Sequence, residues 1–398
     1  MILMQLNFNE LEYLICSPEI VENMKYAKAL SPFSETVVEF LNALSEKLRN
    51  VREYSDVATF GFWCRRANLL KEKNKYDDLN VRFGKGIVFH STPSNVPVNF
   101  AFSFAAGLLA GNANIVRLPA KDFPQVDIIV RKIKELLEEK YKELLSYICF
   151  VKYETVKEIT DIFSEISNIR VIWGGDATID RMRTSKISPR TTEITFSDRH
   201  SLVVIDADSY LEAENKERII TGFYNDTYYT DQNACTSPRI VFWVGKEKEK
   251  AKEDFWKRVR EKVSENYDIK AVQAVGKLAA IYKAAVGLTV SLNEGNLVEV
   301  TRLTPKEITS EVMDYKYNSG FFYESDVESL VEIAPICDIR CQTITYFGVE
   351  QIKFVEFMKN VTPRGVDRIV PIGKSMDFGL VWDGYDLIRE MSRKVDII

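Results

Sequence analysis

The sequence predicts a doubly wound α/β fold in two domains, and three observations carry that reading. From Gly84 onward, short apolar runs alternate with stretches of helical length. Runs such as Ser201–Ile205 are continuously apolar, the pattern of parallel strands covered on both faces. The connections between runs are short, which suits strand–helix–strand crossovers. In such a sheet, ligands bind at the carboxyl ends of the strands.

The elements follow in chain order. Thr36–Arg49 and Tyr54–Lys73 repeat apolar residues three and four apart and read as a helical cover on a later sheet. Gly86–His90 is a strand, Phe100–Ala110 a helix, Ile115–Leu118 a strand, and Val126–Leu145 a strongly amphipathic helix. Tyr147–Val151 is a strand, after which Thr155-Val-Lys-Glu158 has the pattern of a capping box opening a helix. Arg170–Trp173 is a strand ending in Gly174-Gly175, with Thr178–Thr184 helical beyond it. In the second half, Ser201–Ile205, Ile240–Val244 and Val327–Ile333 read as strands. Leu211–Asn225, Phe255–Val263 and Val272–Val286 read as helices. The first domain is placed at 1–198, with 370–398 as a segment that could return to it, and the second at 199–369. No low-complexity linker or repeat marks the boundary, so a single large domain is the alternative.

Composition removes several classes of function. The 398 residues are 46% hydrophobic and 28% charged with net charge −5, which offers nucleic acid no electrostatic footing. The N-terminus has no basic n-region and carries Glu10 and Glu12, which argues against a signal peptide and for a cytoplasmic protein. Phe100–Leu109 is apolar but too short to span a bilayer. The six scattered cysteines read as free thiols in a reducing compartment. With two histidines, His90 and His200, and no CxxC pair, no metal site is expected, and Cys337 and Cys341 read as packing residues.

Chemistry concentrates at a few positions. Cys235 lies in Asp-Gln-Asn-Ala-Cys-Thr-Ser-Pro-Arg, a polar loop between a helix and a strand where a substrate can reach a thiol. Such a thiol needs activation, since a free cysteine is only slightly ionised at neutral pH. Asn95 sits between Pro93 and Pro97 just after the Gly86–His90 strand, where a rigid amide could donate to an oxyanion or merely satisfy a turn. Arg117 ends one strand and Lys121 follows it, suited to a ribose or its 2′-phosphate, or simply solvated. Gly174 and Gly175 join a strand to a helix and could admit a pyrophosphate, while Asp176 could be a simple N-cap. Glu193 is a candidate general base or an ordinary solvated glutamate.

These residues form a recognisable constellation. Pro93-Ser94-Asn95-Val96-Pro97 resembles the Pro-Trp-Asn-Phe-Pro of the aldehyde dehydrogenase superfamily, and Gly111-Asn112 with Arg117 resembles its Gly-Asn…Lys segment. Asp206-Ala207-Asp208, Asn225 and Gln232-Asn233-Ala234-Cys235 resemble the approach to that superfamily's nucleophile. Gln232–Pro238, Gly365–Gly373 and Trp382-Asp383-Gly384-Tyr385 are similar to the LuxC-type acyl-CoA reductases of bacterial luminescence systems. The similarity runs from about Gly84 to the C-terminus. It implies an aldehyde dehydrogenase-like fold, with a Rossmann-type NADP-binding domain and an α/β catalytic domain. It implies that Cys235 accepts the acyl group and that Asn95, with the Cys235 N–H, forms the oxyanion hole. Glu193, 42 residues before Cys235, resembles the catalytic glutamate by position, although the glycines that should follow it are missing. The superfamily's Glu-x-Phe-Gly-Pro segment has no counterpart here. Arg117 stands where a lysine contacts the adenosine ribose, and Gly174 and Gly175 match the pyrophosphate turn.

The family precedent is NADPH, with coenzyme A as the leaving moiety, an acyl-protein synthetase partner and a homo-oligomer. The expected reaction is NADPH-dependent reduction of a long-chain acyl-CoA to the aldehyde. A cysteine-dependent thioesterase and a non-catalytic acyl-carrying subunit are the alternatives.

Overall fold

The computed structural model describes residues 11–93 and 96–398. The chain divides into two units, Met1–Ser197 with Phe378–Ile398, and Asp198–Asp377.

The first unit has strands β1 (Glu12–Tyr13), β2 (Arg82–Gly84), β3 (Ile87–Ser91), β4 (Ala113–Arg117), β5 (Ile148–Lys152), β6 (Ile169–Trp173) and β7 (Thr192–Phe196). Six of them form a sheet in the order β1-β5-β4-β3-β6-β7, parallel except for β1. All of β3 and β6 is buried, and their apolar stretches, Ile87–Phe89 and Val171–Trp173, are what read as strand, while His90, Ser91 and Arg170 are buried polar groups among them. Helix Asn99–Leu109 buries nearly its whole circumference, whereas Pro124–Glu139 buries one stripe, Val126, Ile129, Val130, Ile133, Leu136 and Leu137. Helix Glu35–Leu48 covers the core with Val37, Val38, Phe40, Leu41, Leu44 and Leu48.

The chain runs from β3 outward through β4 to β5 and then returns to β6 on the other side of β3. The reversal between β3 and β6 is a topological switch point, where the loops at the strand ends diverge and leave a crevice.

Asn112 ties this unit to its C-terminal segment. Its Oδ1 accepts from the N–H groups of Lys85 at 2.7 Å and Gly86 at 3.1 Å, and its Nδ2 donates to the Met391 carbonyl at 2.8 Å. Gly111 before it has φ +90°, and a Cβ there would stand 2.1 Å from the Leu30 carbonyl oxygen. That close approach is the physical reason for a Gly-Asn pair at this point. The returning chain ends as Ser392–Lys394, antiparallel to β2.

The second unit has β8 (His200–Asp206), β9 (Pro238–Val244), β10 (Val290–Leu292), β11 (Thr301–Pro305), β12 (Phe321–Asp326), β13 (Cys341–Phe347) and β14 (Arg368–Pro371). They form one sheet in the order β10-β11-β12-β9-β8-β13-β14, parallel except for β10. Alternate residues feed two cores: Leu202, Val204, Ile240 and Phe242 on one face, Val203, Ile205, Val241 and Trp243 on the other.

Three expectations are corrected. Val327–Ile333 is not a strand: the strand is β12 just before it, and a short 3-10 helix, Leu330–Ile336, contains Pro335. The helix after Thr155 begins at Lys157 without a side-chain cap, so the capping-box pattern is not realised. Cys16 and Cys149 are joined in a disulfide, leaving Cys64, Cys235, Cys337 and Cys341 as the free thiols. Antiparallel packing of β1 along β5 brings these two cysteines together across 133 residues, which no local spacing reveals. Among the described residues, no helix is long and apolar enough to cross a membrane.

Candidate active site

Helix Lys216–Thr227 ends in a 3-10 turn, Tyr228–Thr230, and the next two residues adopt left-handed backbone: Asp231 at φ +54° and Gln232 at φ +59°. Non-glycine residues pay strain in that region and persist only where their side chains are held. Both are held. The Asp231 carboxylate accepts from Tyr267 Oη, from Ser319 Oγ at 2.9 Å and from Gln273 Nε2 at 2.5 Å. The fully buried Gln232 amide makes four bonds: Nε2 donates to the carbonyls of Pro238 at 2.9 Å and Phe321 at 3.1 Å, and Oε1 accepts from Gly320 N–H at 3.0 Å and Phe321 N–H at 3.1 Å. That uses its full donor and acceptor capacity and fastens the loop to β9 and β12.

Cys235 follows three residues later. Its carbonyl accepts from Ser201 Oγ at 2.7 Å, and Ser201 Oγ in turn accepts from Thr343 N–H at 3.2 Å. Cys235 is half-buried, whereas Cys64, Cys337 and Cys341 are buried. Burial pushes the Cys64 thiol well up, and a hydrogen bond with Cys337, reinforced by burial, does the same for Cys341. Of the four cysteines outside the disulfide, only Cys235 is not buried.

Two cations flank that thiol. Arg239, nearly fully buried, donates to the Tyr317 carbonyl and Asn318 Oδ1, each at 2.6 Å, and to the Gln232 carbonyl. Burial lowers its pKa to about 10, against which the charges of Cys235 and Asp231 pull upward. Lys316 is also lowered by burial and by Arg239, and Cys235 again acts in the opposite sense. Its Nζ donates to the Arg199 carbonyl at 3.4 Å. Sequence reasoning missed both cations. Arg239 closes the same polar loop and could have been weighed, but Lys316 lies 81 residues beyond Cys235 and carries no local signal.

A third element braces the loop. Thr236 Oγ1 lies 3.2 Å from Met376 Sδ, in the stretch that follows β14. That stretch is fixed by buried Asp226, whose carboxylate accepts from Gly373 N–H at 2.6 Å, Ser375 N–H at 3.1 Å and Ser375 Oγ at 2.8 Å. Burial raises the Asp226 pKa to about 6 despite those donors. Gly373 (φ +86°) packs against Gly222, and a Cβ on either would meet the other's Cα within about 3.1 Å. This is the physical content of the Gly365–Gly373 motif: it crosses beside the helix that leads to Cys235.

The remaining candidates belong to the first unit, except that Asn95 lies outside the described residues. Gly174 and Gly175 end β6 at the switch point, and Gly175, not Asp176, is the N-cap of helix Asp176–Arg183. Arg117 at the end of β4 stacks over Tyr153, 4.5 Å from its ring centroid, and donates to the carbonyls of Tyr153 at 3.3 Å and Glu154 at 3.2 Å. Lys121 is exposed and lines a cleft of about 190 Å³ with Leu118, Pro119 and Lys152 and with the carboxylates of Glu12, Asp122 and Asp127. Glu193 is on β7, paired in register with Arg170 on β6. Its carboxylate accepts from Arg170 Nε at 2.9 Å and Arg183 Nε at 2.8 Å. Burial acts to raise its pKa, but the hydrogen bonds from Arg183 and Arg170 prevail and hold it below the usual carboxylate range. A carboxylate stabilised in this way is a poor proton acceptor.

Comparison with known proteins decides the family, since the family model for acyl-CoA reductase (LuxC) matches residues 28–394. The chain belongs to the acyl-CoA reductase (LuxC) family. The long-chain acyl-protein thioester reductase of Vibrio harveyi is 24% identical over 325 residues, covering 79% of this chain and 64% of that protein. Among solved structures, a lactaldehyde dehydrogenase aligns with a TM-score of 0.68 at 11% identity, covering 96% of this chain and 91% of that one. Aldehyde dehydrogenase 21 of Physcomitrella patens aligns at 0.66 and 13%, covering 94% and 87%. This member of the acyl-CoA reductase family thus has the aldehyde dehydrogenase fold.

Proposed function

We propose that this chain reduces a long-chain acyl thioester to the aldehyde through an acyl group held on Cys235, with NADPH as reductant. The observation that carries the proposal is the Cys235 loop itself: a half-buried thiol outside the disulfide, on a loop braced by Gln232 and Asp231, with Arg239 and Lys316 beside it. Nearby cations favour the thiolate, which is the nucleophilic form.

In the proposed sequence, the Cys235 thiolate attacks the thioester carbonyl. The amide of Asn95 and the Cys235 N–H hold the resulting oxyanion. The C–S bond of the donor breaks, coenzyme A leaves as its thiolate, and the acyl group stays on Cys235. A bound reduced nicotinamide would supply the hydride that brings this acyl group to the aldehyde level. As the aldehyde departs, Cys235 recovers its sulfur, with Arg239 and Lys316 favouring the anion. Water must be kept away throughout, because hydrolysis would divert the acyl group to the free acid.

The first unit suits the cofactor. The β3–β6 switch point and the Gly174-Gly175 turn ahead of a helix suit a pyrophosphate, and exposed Lys121 supplies a cation after β4. Because the Arg117 guanidinium is already engaged by Tyr153 and Glu154, we assign it to shaping that edge and Lys121 to meeting the phosphate. We do not assign proton abstraction to Glu193, which its two arginines hold as an anion. The thioesterase reading loses its base for the same reason. The name of the Vibrio harveyi relative supports a protein-borne acyl thioester as a second donor, and with it an acyl-protein synthetase partner.

The test is incubation with radiolabelled long-chain acyl-CoA without cofactor, followed by peptide mapping. Thiol-sensitive label on the Cys235 peptide, discharged as aldehyde by NADPH, is the expected result. Label elsewhere, or release only as free acid, would overturn the reading.

A further inference from the structure

Helix Ala271–Gly287 buries one charged residue, Lys277, on the side that reaches the Cys235 loop. Gln273, Gly276 and Lys277 stand three and four residues apart and so share that side. Gln273 Nε2 donates to the Asp231 carboxylate at 2.5 Å. Gly276 leaves room for Tyr317, whose Oη a Cβ there would meet at 1.8 Å. Lys277 is only 2% exposed, and its Nζ donates to the carbonyls of Val298 at 2.6 Å, Ser319 at 2.7 Å and Gly320 at 3.1 Å. Burial lowers its pKa to about 7, while the charges of Glu299 and Asp231 pull upward. Three acceptors call for three N–H groups, which the ammonium has and the neutral amine lacks.

What Lys277 grips is the counterpart of the turn that leads to Cys235. Ser319 at φ +61° and Gly320 at φ +76° have left-handed backbone, as do Asp231 and Gln232. The two pairs bond to each other. Ser319 N–H donates to the Asp231 carbonyl at 3.2 Å, Ser319 Oγ to the Asp231 carboxylate at 2.9 Å, and Gly320 N–H to Gln232 Oε1 at 3.0 Å. A left-handed serine carries strain that its surroundings must hold. Asp231 and Gln232 hold the 319–320 turn by its N–H groups, and Lys277 holds it by its carbonyls.

We infer that Lys277 is a positioning residue for Cys235. Its ammonium fixes the Ser319–Gly320 turn, and that turn fixes the Asp231–Gln232 corner from which the nucleophile's loop continues. Lys277 acts through two turns and touches no reacting atom. The inference rests on Cys235 being the nucleophile, but its test follows the thiol and needs no acyl substrate.

Iodoacetamide labelling with peptide mapping reports each cysteine outside the disulfide separately. Lys277→Met should slow modification of Cys235 several-fold at pH 7 and move its rate profile to higher pH, while buried Cys64, Cys337 and Cys341 stay unmodified. Ser319→Ala, which leaves every charge in place, should slow Cys235 as well. The double variant should lose less than the product of the two effects, because both act through one chain of contacts. If the buried thiols of Lys277→Met react, the fold has opened, and Lys277→Gln, which keeps an amide donor, is read in its place by the same criteria. A Cys235 rate that is unchanged or faster would overturn the inference, as would effects of the two substitutions that simply multiply. A wild type whose Cys235 is alkylated but which reduces no acyl thioester would overturn the proposed reaction and leave Lys277 in its role.

Discussion

Arg170 on β6 and Glu193 on β7 stand opposite each other across two parallel strands, and the arginine of that pair is only 2% exposed. A buried guanidinium with its carboxylate removed is an uncompensated charge. For Glu193→Gln we expect a stability loss of about 3 kcal/mol, softened because Arg170 also donates to the carbonyls of Met182 and Ser185. The turnover of the remaining folded enzyme should fall by less than about tenfold, since loss of a general base costs roughly 100-fold or more. Urea unfolding and kcat measured on the same preparation separate the two roles. A large kcat loss with stability intact would restore Glu193 as a base.

Gln232 gives a second expectation. Its four bonds are all to buried main-chain groups, so Gln232→Leu strands donors and acceptors that water cannot reach. The expected cost is about 4 kcal/mol, taking roughly 1–3 kcal/mol for each group and allowing for relaxation. Labelling of Cys235 by acyl-CoA should fall with it. Unchanged labelling in a Gln232→Leu protein would show that the loop holds its shape without this amide.

The legibility of the chain divides along physical lines. The first unit could be read because β3, β5 and β6 each carry three or more consecutive buried apolar residues, Ile87–Phe89, Ile148–Val151 and Val171–Trp173, enough to show as a run beside buried His90 and Arg170. The second unit hid β13, whose Cys-Gln-Thr-Ile-Thr-Tyr-Phe places Gln342, Thr343 and Thr345 in the middle of a sheet. Buried polar residues defeat a hydrophobic pattern. Cys235 could be singled out because its loop is polar and lies between regular elements. Its neighbours could not, because Lys316, Ser201 and Asp226 meet it, or the segments beside it, only in three dimensions. The reading of six free thiols failed for the same reason, since the Cys16–Cys149 contact is made by strand pairing.

Acidification should destabilise the first unit before the second. His90 is fully buried, with Nδ1 2.8 Å from Ser103 Oγ and Nε2 3.0 Å from Asn114 Oδ1, and burial lowers its pKa to about 4. The unfolded chain takes up that proton near pH 6.5, whereas the folded one resists until about 4. The contribution is therefore complete above pH 6.5 and is lost as the pH falls toward 4, at most about 3 kcal/mol. His200 in the second unit behaves alike, also lowered to about 4 by burial. There, however, Asp226 has the opposite sign: raised to about 6, it binds a proton in the fold that the unfolded chain has released, which favours the fold at lower pH. Urea unfolding at pH 7 and pH 5 should show a loss in the first unit that His90→Gln largely removes. An equal loss in that variant would place the acid sensitivity elsewhere.

The last expectation concerns the thiol. If Lys316 and Arg239 favour the Cys235 thiolate, iodoacetamide should modify Cys235 at neutral pH faster than it modifies a free cysteine. Lys316→Met removes one charge without touching the Gln232 and Asp231 braces, so it should slow modification several-fold at pH 7 and move the rate profile to higher pH. Lys316→Arg keeps the charge and should keep the profile near that of the wild type, a rescue that a merely structural lysine would not give. Arg239 is the poorer site for this test because its bonds to Gln232, Tyr317 and Asn318 hold the loop, and its loss would mix geometry with charge. A profile unchanged in Lys316→Met would leave the ammonium group without influence on the sulfur and assign the activation to the backbone of the loop.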